Sequence, residues 1–159
     1  MIVEQTLWTK ESGWQPNSPG KLGAGAGLVF AFGSSELFHE GDPGAELRAA
    51  YPNAHVIGCS TAGEIHDQHV HDGTLTVTAL HFASTVVRAA KVAISPEESS
   101  RAVGSRLAAQ FDGTGLVHVF VLSDGLAVNG SELVAGLAAG LPAGVSLTGG
   151  LSGDGDRKS

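Results

Sequence analysis

Residues 54–65, AHVIGCSTAGEI, gather the only cysteine of the chain, two hydroxyls, two glycines and a carboxylate behind an apolar run. Three chemistries fit such a cluster: a nucleophile at Cys59 or Ser60, an anion cradle of backbone N–H groups, or a sharp bend. A Cys59 nucleophile needs a base, and His55 and His66 are the nearby candidates. On an extended chain His55 lies about 13 Å away, out of reach. A serine elbow at Ser60 is disfavoured, because Ala62 stands where G-x-S-x-G requires its second glycine and no helix-forming run follows. The bland reading of Cys59 is a small hydrophobe at a strand end, turned into the core. That reading puts the Ser60 and Thr61 hydroxyls toward a crevice. A hydrolase or transferase using Cys59 or Ser60 is the weaker alternative to a binding site.

HDQHVHD, residues 66–72, is the strongest metal candidate. His69 and His71 share a face if extended, with His66 and Asp72 close by, and imidazole suits zinc, copper or iron. A solvated loop explains the same residues, so no metal is assigned, and His66, His69 and His71 stay weak candidates. His39, His81 and His118 are isolated. His118 is expected in the core or against a sheet edge.

The elements that position these groups follow from periodicity and punctuation. IVEQTLW is a short strand, followed by a Gly/Pro-rich loop through residue 26. GWQPNSPGKL imitates a phosphate-binding loop, but Leu22 replaces the Ser or Thr that would hold magnesium. GLVFAFG is a buried strand. Asp42 and Pro43 open a helix to about Ala50. AHVIG is the next strand, and GTLTVTALHF and TVVRAAKVAI read as an antiparallel pair. Ser95-Pro96-Glu97-Glu98 has the form of a capping box starting a helix to about Phe111, with Val103, Leu107 and Phe111 on one face. LVHVFVL is a buried strand, SELVAGLAAGL a helix and VSLTG the last strand. The order gives an α/β fold, a mixed β-sheet with flanking helices, incomplete at the C-terminus because nothing covers the last strand's edge.

Three strands each run into a small-residue loop bearing a carboxylate: VIG into CSTAGE, VFVL into SDGLAVNG, and SLT into GGLSGDG. In open α/β sheets ligands sit beyond the carboxyl ends of strands. Parallel neighbours would bring Ser60, Thr61, Glu64, Asp124, Asn129 and Asp154 to one rim, with glycine-exposed N–H groups beside them. Such a rim suits a small zwitterion.

VIGCSTAGEI, GTLTVTAL, SDGLAVNGSELVAGL and LTGGLSGDG, in this order from about Leu28 to Asp156, resemble the N-terminal half of the FIST domain. FIST is a sensory domain of bacterial and other signalling proteins. The resemblance implies one FIST N-terminal-like domain over 1–159, shortened after 156, that senses a small amino-acid-like ligand and has no catalytic residue. It implies as partners a C-terminal FIST half or a signalling output protein. Haem binding occurs in some relatives, so haem is possible by resemblance, though no cofactor is predicted. Position by position the resemblance points to Gly58, Ser60, Thr61, Gly63, Glu64, Asp124, Gly125, Asn129, Gly149, Gly150 and Asp154.

Composition narrows the setting. The 159 residues suit one domain and are 42% hydrophobic and 16% charged. A net charge of −7 without a basic cluster disfavours nucleic acid. One cysteine cannot form an internal disulfide, and no apolar run is long enough to span a bilayer. No signal peptide is legible in MIVEQTLWTKESGW, so a cytoplasmic setting is expected.

Overall fold

The computed structural model describes residues 1–153. Its elements are β1 (Ile2–Thr9), β2 (Gly13–Gln15), β3 (Leu28–Gly33), α1 (Ser35–Glu40), α2 (Pro43–Ala50), β4 (His55–Ser60), β5 (Glu64–His66), β6 (His69–His71) and β7 (Leu75–His81). There follow α3 (Ser100–Ala108), β8 (His118–Ser123), α4 (Gly130–Gly140) and β9 (Ser146–Leu151). The fold is α/β with a mixed five-stranded sheet, as expected. The described residues cluster into two compact units, Met1–Arg88 with Gly153, and Ala89–Ser152.

The first unit carries the five-stranded sheet, in the order β2-β1-β7-β3-β4. Only β3 and β4 are parallel; the other neighbours are antiparallel. Strand alternation divides its two faces. Val29, Ala31, Leu75, Val77 and Ala79 turn inward with Leu47 of α2 and Tyr51 to form the core. The opposite face carries Gln5, Phe32, Thr76 and Thr78, since Gln5 pairs with Thr78 and Phe32 with Thr76. Asp42 caps α2 as expected, accepting the Ala45 N–H at 2.9 Å.

The Gly/Pro-rich loop after β2 is anchored by Glu4. This carboxylate is only 8% exposed. It accepts from the N–H groups of Gly20 (3.1 Å), Lys21 (2.9 Å) and Leu22 (2.7 Å). The Tyr51 hydroxyl accepts a second bond from Gly20 N–H, and burial first, with Glu4 nearby, pushes its pKa up to about 12.

TVVRAAKVAI is not a strand. Both edges of β7 are already taken, by β1 and β3, so no edge is left for a hairpin partner. Residues 82–95 carry no helix or strand, and Val86 is 80% exposed. The helix expected from Ser95 also starts later. Ser95 bonds Glu97, and Glu98 is engaged by Arg106, so neither completes a capping box. Ser99 caps instead, accepting from Ala102 N–H at 3.3 Å. Phe111 lies past the end of α3, so the expected stripe is shorter than its spacing suggests.

In the second unit α3 and α4 pack around Val103, Ala108, Val128, Leu133 and Leu137, and β8 pairs in parallel with β9. β8 is less buried than LVHVFVL suggests: His118 and Phe120 are exposed, and only Val119 is buried. His118 is therefore not a core residue; its Nε2 meets Thr148 Oγ1 of β9 at 2.8 Å. The helices touch backbone to backbone at two glycines. A Cβ on Gly104 would collide with the Leu133 carbonyl, and one on Gly136 with the Arg101 carbonyl. Here glycine sets the interhelical distance. No helix among the described residues is long and apolar enough to cross a membrane.

Gly136→Ala should therefore destabilise the protein by about 1–3 kcal/mol, through overpacking against unyielding backbone. Ala138→Ser, exposed on the same helix, should stay within about 0.5 kcal/mol. Urea unfolding of both variants measures the difference.

Candidate functional site

At the carboxyl ends of β3 and β4 the chain ties three segments together. Thr61 N–H donates to Gly33 O at 2.9 Å, and Ser34 N–H donates to Thr74 O at 3.1 Å. Glu64, 2% exposed, closes this junction. Its Oε1 accepts from Thr61 Oγ1 at 2.7 Å, and its Oε2 accepts from Thr74 N–H at 3.1 Å and Thr74 Oγ1 at 3.0 Å. A buried carboxylate is tolerated only with such partners.

Beside this junction lies an open hollow of about 220 Å³ lined by Gln5, Phe32, Thr61, Gly63, Glu64, Ile65, Thr76 and Thr78. Thr76 is 5% exposed, and its Oγ1 has no hydrogen-bond partner among the described residues. A buried hydroxyl left unpaired costs free energy that a ligand could recover. Gln5, by contrast, already donates to Thr78 Oγ1 at 3.3 Å. A second hollow, about 340 Å³, opens at the amino ends of the same strands, between Gly25, Asn53, His55 and His81. There Asn53 donates to Ala24 O, and His81 Nδ1 meets Gly25 O at 2.6 Å, so those polar groups are engaged. Because a carbonyl only accepts, that His81 nitrogen is the donor.

The residues singled out by sequence divide between the two units. Thr61, Gly63 and Glu64 line the smaller hollow. Gly58 lies at a close strand contact, where a Cβ would strike the Ala31 carbonyl. The β4 register reverses the expected facing of Cys59 and Ser60. Cys59 pairs with Phe32 on the face away from the core, while Ser60 pairs with Gly33 on the core face. Cys59 is half-buried rather than a core residue, because β4 continues straight through it instead of turning at Gly58. Burial pushes its thiol pKa up, which works against a thiolate nucleophile.

In the second unit Asp124 Oδ1 accepts from Leu126 N–H (2.8 Å) and Ala127 N–H (2.6 Å). These bonds, Ala127 first, hold its carboxyl below the usual range. Asn129 caps α4 through Glu132 N–H at 3.1 Å. Gly125 N–H donates to Ser152 Oγ at 3.1 Å. Gly149 packs against the Val121 carbonyl, and Gly150 is open. These residues shape turns and a helix entry at the carboxyl ends of the parallel β8–β9 pair. Asp154 lies outside the described residues.

HDQHVHD folds as the β5–β6 hairpin, turning at Asp67 with φ 55°. The His66 and His69 rings each lie 6.3–6.4 Å from the His71 ring. Among the described residues no group of three His, Cys, Asp or Glu side chains is placed to hold a metal. Neither of the two hollows is lined by a hairpin histidine. Sequence reasoning missed Gln5, Phe32, Ile65, Thr76 and Thr78. The signal was present in GTLTVTAL, whose period-two threonines mark one face of a strand.

Glu64→Gln should cost about 1–3 kcal/mol, because an amide cannot accept all three bonds; thermal and urea unfolding test it. Cys59 should react with iodoacetamide more slowly than an unfolded peptide thiol at pH 8, with a rate that rises only above the ordinary thiol range. Rate against pH measures this.

No curated protein and no solved structure matches the chain. The FIST N domain family model matches residues 27–159, well over half of it. The loops CSTAGE, SDGLAVNG and GGLSG all fall within that span, and the chain belongs to the FIST N domain family, a family of sensory domains in signalling proteins.

Proposed function

We propose that this chain is a ligand-sensing module that binds a small, polar, amino-acid-like molecule without turning it over. The observation that carries this reading is the hollow beside Glu64, with the buried, unpartnered Thr76 hydroxyl among its lining residues. It lies at the carboxyl ends of β3 and β4, where α/β sheets place ligands. At about 220 Å³ it is below the roughly 300–1,000 Å³ of drug-sized pockets, so it suits a compact ligand. Non-catalytic binding is supported by Cys59, whose thiol is pushed toward the neutral form, and by Glu64, whose carboxylate is held by structural bonds. We place the module in the cytoplasm, relaying occupancy to a C-terminal FIST half or a separate output protein. Its charge of −7 sets nucleic acid aside as a partner.

A thermal-shift screen with amino acids and other small polar compounds tests the proposal. A ligand present at about 100 times its Kd should add about 2.7 kcal/mol of stability. Thr76→Val should weaken that ligand at least ten-fold while leaving the unliganded melting temperature unchanged or higher, since it removes an unpaired buried hydroxyl. A screen with no stabilising compound, or unaltered affinity in Thr76→Val, would count against it.

A further inference from the structure

We infer that this hollow reads the ammonium end of its ligand, and that a carboxylate contributes nothing to recognition there. The inference rests on the proposed reading of the hollow as a ligand site and names the chemistry it selects. Glu64 is the only charged side chain lining it, and no lysine, arginine or histidine lines it among the described residues. A carboxylate group entering the hollow would meet like charge with no counter-cation, while an ammonium would meet attraction.

Glu64 retains capacity for such a contact. A carboxylate offers about four acceptor directions, and the structure uses three, through Thr61 Oγ1, Thr74 N–H and Thr74 Oγ1. Only one of these falls on Oε1. The Phe32 ring forms part of the lining and stacks on Phe30 with centroids 6.0 Å apart. An aromatic face favours a cation and accepts the methylenes beside it. The hydroxyls of Thr76 and Thr78 are further acceptors for N–H donors, and Ile65 adds an apolar edge. The ligand class is a small organic ammonium with a short apolar tail, such as the amine that remains when an amino acid loses its carboxyl group.

Calorimetric titration of the unaltered protein with butylamine, norvaline and valerate separates the possibilities. These three share a propyl tail and carry an ammonium, both groups, or a carboxylate alone. Butylamine should bind at least as tightly as norvaline, and valerate at least ten-fold more weakly than either. Phe32→Leu and Thr76→Val should each weaken butylamine several-fold, with the unliganded melting temperature separating loss of contact from loss of fold. Valerate binding as well as butylamine would overturn the inference and leave the proposed small-ligand function standing. Failure of butylamine to bind, or binding unchanged in both variants, would also overturn it. If the wider screen is silent as well, the ligand-site reading falls with it.

Discussion

A carboxylate buried among hydroxyls and one backbone N–H governs the arrangement around the candidate site. Glu64 cannot stay 2% exposed unless Thr61 and Thr74 come to it. Those two residues flank the β5–β6 hairpin, so their shared partner closes the hairpin at its base. The neighbouring backbone bonds, Thr61 to Gly33 and Ser34 to Thr74, put the ends of β3 and β4 and the approach to β7 in one place. The hollow is the space left beside that junction. Its shape therefore depends on the same contacts that stabilise the fold.

Glu4 repeats the device elsewhere in the first unit. Its carboxylate gathers three successive backbone N–H groups from Gly20 to Leu22, and so orders a stretch whose composition suits a loose loop. The second unit works differently. There close backbone approach sets the geometry, at Gly104 and Gly136 between the helices and at Gly149 between β8 and β9. Both strategies place a residue type at a position where a common substitution would fail. A carboxylate replaced by an amide loses acceptors, and a glycine replaced by alanine meets a carbonyl.

The loops after β4, β8 and β9 illustrate how turn chemistry and binding chemistry overlap. Asp124 and Asn129 satisfy backbone N–H groups at a turn and a helix entry. Thr61 and Glu64 bond one another and still line a hollow. Residue type alone does not separate these outcomes, because Asp, Asn, Ser and Thr in short loops commonly find local backbone partners. Burial separates them. Thr6, Ser34 and Thr76 carry buried hydroxyls with no hydrogen-bond partner among the described residues, and of the three only Thr76 lines the hollow, which makes it informative.

Much of the fold was legible in the sequence. The apolar runs of β3, β4 and β7, the Asp42-Pro43 entry to α2 and the leucine spacing of α4 all depend on local periodicity and capping, which act within a few residues. The family was legible too, in the order of its glycine-rich loops. Tertiary structure decided what local patterns cannot carry. TVVRAAKVAI has strand propensity, but whether it pairs depends on a free edge, and β1 and β3 occupy both edges of β7. The facing of Cys59 against Ser60 depends on where β4 ends, because a period of two inverts with a shift of one residue. The site's remaining wall, Gln5, Phe32, Thr76 and Thr78, comes from three strands up to 73 positions apart. Only the register of the assembled sheet brings those side chains onto one face.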